Sequence, residues 1–323
     1  CDSCSTYMLH DDGLWSRIND ERVCQQCHDQ EYECRDCANW VASDDHDCDY
    51  DSNDDDYDEP PRVIHNYSYK PAALFFGDTK YHFGLELEVE AKVYDNYSTG
   101  AESVVDIMGQ RAYLKHDGSL NQGFEIVTHP HSLQEMQEKF PWEILEKLKE
   151  LNFRSWKTST CGLHVHVSRT AFSAPTADQR DTHQIKFMKL IYDNKDQVQK
   201  LAGRKSSWAK FDDKGQVIRK VKYGYQSANR YSAVNVENSN TLEVRVFRGS
   251  LRKERVLSAV EFVHAAVEYT RDLKIVPKDK PFEWTTFIGY VTKHKDIYPN
   301  MLTIVNEMLA KAQTTISRQE EPI

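Results

Sequence analysis

Four separate segments of this chain alternate aliphatic side chains with charged or imidazole side chains at a period of two. They are Phe83-Gly84-Leu85-Glu86-Leu87-Glu88-Val89-Glu90, Gly123-Phe124-Glu125-Ile126-Val127, Leu163-His164-Val165-His166-Val167-Ser168 and Leu242-Glu243-Val244-Arg245-Val246. Successive side chains of a strand point to opposite faces, so each segment has one face to bury and one that resists burial. One such strand alone reads as an ordinary strand with a wet polar face. Four of them in one sheet converge Glu86, Glu88, Glu125, His164, His166, Glu243 and Arg245 into a polar floor, and like charges so placed repel unless water or cations lie over them.

The rest of the body supplies the layers. With 323 residues and 39% hydrophobic content the chain buries a sizeable core and divides into a large and a small domain. Strands are expected at 62–69, 82–91, 111–115, 123–128, 162–168, 231–237 and 241–248. Helices are expected at 100–109, 131–151, 177–201, 252–272, 283–293 and 299–314, with Pro141 dividing the second. Strands do not alternate strictly with helices, which disfavours a doubly wound parallel sheet. The fold class is α+β, an antiparallel sheet backed by helices.

The floor's chemistry follows from its donors. Carboxylates dominate, which suits hard divalent cations such as magnesium or manganese, and these tolerate a histidine among oxygens. Cys161, just before His164, reads as a small buried residue. Glu90 reads either as a support to the floor or as a solvated side chain.

Cysteine is concentrated at the front. Seven of eight cysteines precede residue 50, as Cys1-x2-Cys4, Cys24-x2-Cys27, Cys34-x2-Cys37 and Cys48 with His46 beside it. Repeated CxxC pairs read as structural zinc. One site would use Cys1, Cys4, Cys24 and Cys27, and a second Cys34, Cys37, Cys48 and His46; a cross-braced pairing fits the spacing equally. Few apolar residues lie here, so the metal would supply most of the folding energy. Residues 1–48 are expected to form this zinc-binding module, 49–61 an acidic linker and 62–323 the catalytic domain. Cys1, followed by no apolar leader core, reads as a trimmed start.

Charge is divided in the same way. Residues 44–59 hold ten acids and no Lys or Arg, residues 1–43 hold nine acids and three Arg, and residues 60–323 hold 32 acids against 38 Lys and Arg. The acidic front argues against a nucleic-acid-binding finger, while the mildly basic body suits an anionic small substrate. A basic, aromatic stretch from Gly203 to Arg230 reads as a loop over nucleotide phosphates or as a plain solvated loop. Arg230, at the end of this stretch, and Arg248, beyond it, are candidate phosphate or carboxylate clamps. No run of 18 or more apolar residues occurs, so no membrane span is expected.

Taken in order, Gly84–Glu88, Asp117-Gly118-Ser119-Leu120 leading to Gly123-Phe124-Glu125, Cys161–Ser168 and Thr241–Leu251 resemble the phage and bacterial amidoligase family. That family belongs to the glutamine synthetase and glutamate–cysteine ligase superfamily. The resemblance covers roughly residues 80–252. It implies a saddle-shaped antiparallel sheet holding two or three divalent metals between ATP and an acid substrate. Carried over residue by residue, Glu86, Glu88, Glu125, His164 and Glu243 look like magnesium ligands, with His166 a further histidine near the nucleotide. Asp117 matches the acid of the family's turn, and Arg245 matches the arginine that stabilises transferred phosphate.

The expected activity is therefore ATP-dependent amide or peptide bond formation through an acyl phosphate. ATP and a carboxylate–amine pair are the small-molecule partners, and the zinc module would either recruit a protein substrate or only stabilise assembly. The setting would be the cytoplasm of a bacterial or phage-infected cell, and homo-oligomers are common among such ligases. Two rival readings remain: a metal-dependent hydrolase, since His-x-His with carboxylates also activates water, and a non-catalytic interaction or virion protein on a ligase scaffold.

Overall fold

The structure, a computed structural model, describes residues 63–93, 96–211, 231–271, 273 and 280–319. Ahead of these it describes four two-residue strands. The chain divides into two units, Cys1–Pro60 and Pro61–Ile323. In the first, β1 (Leu14–Trp15) pairs antiparallel with β2 (Arg22–Val23), and β3 (Tyr32–Glu33) with β4 (Trp40–Val41). The candidate zinc ligands Cys1, Cys4, Cys24, Cys27, Cys34, Cys37, His46 and Cys48 lie outside the described residues, as do the acidic linker and Arg230.

The second unit is built on one sheet of eight strands: β5 (Ile64–His65), β6 (Phe83–Ala91), β7 (Ala112–Lys115), β8 (Gly123–Thr128), β9 (Phe153–Arg154), β10 (Gly162–Ser168), β11 (Val234–Asn235) and β12 (Thr241–Arg248). Their order is β11-β12-β10-β6-β8-β7-β5, with β9 also pairing β6. Every pair is antiparallel except β5 with β7, which is parallel. The sheet is thus mixed, a correction to the wholly antiparallel expectation. The strand expected over 62–69 shrinks to two residues because the chain turns at once, Tyr69 N donating to Asn66 O at 3.0 Å. The strand expected over 231–237 likewise shrinks to Val234–Asn235.

The helices are α1 (Asn96–Met108), α2 (Leu133–Glu138), α3 (Glu143–Glu150), α4 (Ala177–Asp193), α5 (Lys195–Ala202), α6 (Lys253–Arg271), α7 (Trp284–Lys293) and α8 (Pro299–Gln319). Pro141 separates α2 from α3, as its ring and missing N–H require. Ser132 caps α2 by accepting from Glu135 N at 3.0 Å. The single helix expected over 177–201 breaks at Asn194, whose buried amide donates to Leu190 O at 2.9 Å and meets a carbonyl the helix end leaves open.

The alternation seen in the sequence is what places the core. Leu85, Leu87, Val89, Phe124, Ile126, Leu163, Val165, Leu242 and Val244 are all buried. Twelve of the 19 residues of α6 are buried, so this helix is a central part of the helical layer. Each such aliphatic or aromatic side chain contributes roughly 1.5–3 kcal/mol relative to exposure. Covering one face with helices leaves the charged side chains of β6, β8, β10 and β12 together on the other.

A carboxylate-rich cleft on the polar face of the sheet

Register, more than sequence proximity, assembles this face. Directly paired residues of neighbouring strands share a face. Glu86 on β6 pairs with His164 on β10, Glu88 pairs with Glu125 on β8, and His166 pairs with Glu243 on β12. Residues up to 157 positions apart therefore meet in one row across four strands.

His164 Nδ1 lies 3.1 Å from Glu86 Oε2 and 3.4 Å from Glu243 Oε1. His166 Nε2 lies 3.1 Å from Glu86 Oε1, out of line for a hydrogen bond, and its Nδ1 is 3.1 Å from Thr241 Oγ1. Glu243 accepts from Asn235 Nδ2 at 3.0 Å and from the Arg245 guanidinium. Lys115 Nζ stands 4.0 Å from Glu125 Oε2. Three sets of donors each gather within 4.8 Å: Glu86, Glu125 and His164; Glu86, His166 and Glu243; and Glu88, Asp117 and Glu125. Glu86 belongs to two of these sets and Glu125 to two. Shared carboxylates of this kind can bridge neighbouring cations, and a set dominated by oxygen with one imidazole suits magnesium or manganese.

A cleft of about 490 Å³ opens over this row, lined by Glu88, His164 and Arg245 at its floor and by Asp117–Ser119, Thr160 and Arg204 around it, with Tyr67, Trp208 and Tyr231 as aromatic walls. Arg245 Nε is buried and has no hydrogen-bond partner among the described residues. Asp117 shapes the rim: its Oδ1 accepts from Ser119 N at 2.8 Å, an Asx turn.

The electrostatics show what this concentration of acid does. Burial and the charge of Glu86 hold Glu125 well above the usual carboxylate range, against the smaller pull of Lys115. Burial alone would raise Glu86 too, but His166 and His164 outweigh it and hold that carboxyl well below its usual range. In the same pair, burial would lower His166, and the facing Glu86 raises it instead. Glu88, Glu125 and Glu243 are each at most 5% exposed, so water does little to screen them.

Arg204 is the cleft residue that sequence pattern alone did not single out. It follows Gly203, which ends α5 with φ of 67°, a conformation that favours glycine. Its guanidinium donates to Phe247 O at 3.3 Å and lies directly against Gly162, where a Cβ would collide with it. Burial lowers its pKa, with Glu88 opposing. The only signal for it was its place in the basic Gly203–Arg230 stretch.

Other expected site residues sit elsewhere. Arg248 does not line the cleft; it donates to Trp156 O at 3.2 Å and stands 5.2 Å over the Trp156 ring. A register shift between Leu163 and Val165 adds a residue to β12, which turns Phe247 into the core and brings Arg248 opposite Gly162. Glu90, 1% exposed, is a support: it accepts from Asn121 N at 3.1 Å, from Thr160 Oγ1 and from Arg154 at 3.4 Å. Cys161 is buried, and burial pushes its thiol up to about 12, an unreactive state.

No family model matches the chain, and no curated protein sequence matches it. Its fold is similar to that of three solved proteins. A bifunctional glutathione synthetase from Pasteurella multocida aligns at 11% identity and a TM-score of 0.42, over 72% of this chain and 46% of that one. Apo GmaS aligns at 11% identity and 0.39, over 75% of this chain and 70% of that one. The ligase PafA, solved with the prokaryotic ubiquitin-like protein Pup, aligns at 10% identity and 0.32, over 68% of this chain and 51% of that one. The chain thus spans about half the length of the first and third.

Proposed function

We propose that this chain is an ATP-dependent, divalent-metal-dependent carboxylate–amine ligase that forms an amide or peptide bond through an acyl phosphate. The observation that carries the reading is the row of three overlapping donor sets sharing Glu86 and Glu125, buried beneath a cleft that also presents Arg204 and Arg245. The amidoligase-like order of the four segments that build the row supports the same reaction.

Glu86, Glu88, Glu125, His164 and Glu243 would hold the cations, with His166 and Asp117 completing the outer sets. The chemistry that magnesium supplies in such a site is neutralisation of phosphate oxygens and alignment of the γ-phosphorus with its attacker. A substrate carboxylate attacks that phosphorus, the bond to the β–γ bridging oxygen breaks, and ADP leaves. Arg245 and Arg204, which line the cleft, stabilise charge on the transferred phosphoryl group. An amine then attacks the acyl carbon, phosphate departs, and Asp117 at the rim receives the ammonium or its proton. The turn at Asp117–Ser119 and the aromatic walls limit water at the acyl phosphate.

The front adds a second assignment. The CxxC spacing supports structural zinc on Cys1, Cys4, Cys24, Cys27, Cys34, Cys37, Cys48 and His46, in a module that recruits a protein substrate. Native mass spectrometry before and after chelation tests the zinc: a mass that chelation leaves unchanged removes it.

The reaction is tested by ADP release from the purified protein with magnesium and ATP against pooled carboxylic acids and amines, with Glu88→Gln alongside. Release that needs an acid and Glu88 supports the ligase. Turnover of esters or peptides without ATP would support a hydrolase instead, and a folded, metal-loaded protein inert to every pool would support a scaffold.

A further inference from the structure

A second groove of about 530 Å³ shares no lining residue with the carboxylate cleft. Lys92, Lys149, Arg154, Lys157, Arg252 and Arg255 line it, and Glu307 is the acid among its described lining residues. Internal pairing absorbs only part of this cationic density. Glu307 is divided between Arg252 at 2.7 Å and Arg255 at 3.3 Å, Arg252 also meets Glu254 at 3.1 Å, Lys149 pairs with Glu146 at 2.6 Å, and Arg154 reaches the buried Glu90 at 3.4 Å. Lys92 and Lys157 are exposed and have no ion-pair partner among the described residues.

The groove continues toward the cleft. A depression formed by Ala91, Leu120, Asn121 and Gln122 takes Lys92 and Arg154 as its other walls. Leu120 directly follows the Asp117–Ser119 turn that lines the carboxylate cleft. Segment 153–160 serves both sides as well: Ser155, Trp156 and Lys157 line the groove, and Thr160 lines the cleft.

We propose that this basic groove docks an acidic, carboxylate-rich segment of a partner protein. Spaced Lys and Arg side chains along an open channel match carboxylates spaced along an extended peptide. Nucleic acid fits less well. Single-stranded binders need aromatic faces on which bases stack, and the groove's indole, Trp156, already lies under the guanidinium groups of Arg248 at 5.2 Å and Arg255 at 5.0 Å. The proposal concerns binding alone and stands whether or not the neighbouring cleft is a ligase site.

The test is fluorescence anisotropy of a labelled oligoglutamate peptide with the full chain at low and high salt. Saturable binding is expected that weakens with salt, falls about tenfold in the double variant Lys92→Glu, Lys157→Glu, and is unchanged in Lys295→Glu, away from the groove. Lys157→Ala, a milder change at an exposed side chain, is expected to weaken binding about twofold and guards against misfolding of the double variant. Absence of binding, or binding that neither groove variant alters, overturns the proposal. So does a single-stranded oligonucleotide of equal charge that binds more tightly than the peptide and depends on the same lysines.

Discussion

Glu86 and His164 are direct register partners on adjacent strands, and the Glu86 Oε2 to His164 Nδ1 separation is 3.1 Å. Backbone pairing alone holds a carboxylate and an imidazole at the spacing of two ligands to one ion. If the row binds magnesium or manganese, Glu86→Gln removes a donor shared by two of the three sets. The expected outcome is a loss of at least tenfold in manganese affinity, read by calorimetry, with the fold intact by circular dichroism. Unchanged affinity would exclude the row as the metal site.

Glu125 makes the complementary prediction. Its carboxyl is crowded by Glu86 and Glu88 and is held well above the usual range, first by burial. Glu125→Gln removes a carboxyl whose charged form the fold disfavours, and with it the cost of holding that charge or of taking up a proton. In metal-free protein at neutral pH it is expected to raise Tm by about 2–4 °C, corresponding to roughly 1 kcal/mol. The same variant should gain less Tm on adding magnesium than the wild type does. A lowered metal-free Tm would show that Glu125 is a satisfied structural carboxylate.

Gly162 and Arg204 make the next. A Cβ at Gly162 would strike the end of the Arg204 side chain, which is flexible, and not fixed backbone. Gly162→Ala should therefore change stability by less than about 1 kcal/mol while displacing the guanidinium from the cleft. If the cleft turns over ATP as proposed, turnover is expected to fall by roughly a hundredfold to a thousandfold in Gly162→Ala and in Arg204→Ala alike, the range for loss of a transition-state donor. Full turnover in Gly162→Ala, with Arg204→Ala inactive, would show that the displaced arginine still reaches its anion.

The period-two pattern made the central four strands legible because each has one face against α6 and its neighbours: Leu85, Leu87 and Val89 turn inward and Glu86 and Glu88 outward without help from distant residues. The β12 bulge was not legible. Alternation from Glu243 and Arg245 would place Phe247 on the polar face, and only pairing with Leu163 reveals that it is buried. The parallel β5–β7 pair and the shortness of β5 and β11 are also tertiary, since local β-propensity sets no length where no partner strand continues. Arg204 was hidden for a related reason. Its role depends on the absent side chain of Gly162, a residue 42 positions earlier. Glu90 shares the alternation of Glu86 and Glu88, yet loop contacts from Asn121 and Thr160 take it out of the carboxylate row.

Glu261 on α6 is fully buried and carries no part of the cleft. It accepts from Gln137 Nε2 at 2.9 Å, Asn300 Nδ2 at 2.6 Å and Met301 N at 2.7 Å, tying α2 and the first turn of α8 to the core helix. Removing it leaves the Met301 N–H and the Asn300 amide without that acceptor, while Gln137 Nε2 keeps Ile297 O at 2.9 Å. Glu261→Ala is expected to destabilise the body by about 2–4 kcal/mol in urea unfolding, and Glu261→Gln by less, since one amide oxygen remains to accept. Equal effects from the two substitutions would mean that loss of the carboxylate dominates and that the cavity left by alanine adds nothing.

Acid stability is decided in part at His131. This ring is 0% exposed, stacks on Phe76 at 4.6 Å and has Nδ1 2.6 Å from His129 O. With Nδ1 donating there, a second proton would sit on Nε2, which is buried without a partner among the described residues. Burial accordingly lowers its pKa to about 4, with Arg111 adding to the effect. The unfolded chain binds that proton near pH 6.5 and the folded chain does not, so stability is full above about 6.5 and falls as pH drops toward 4. The loss assigned to this one group is about 2 kcal/mol between pH 7 and pH 5. His264, also lowered to about 4 by burial, adds in the same direction. Urea unfolding at pH 7 and pH 5 for wild type and His131→Gln separates the two: the variant should be less stable at pH 7 but lose about 2 kcal/mol less on acidification. An identical pH slope in both proteins would place the acid sensitivity on other groups.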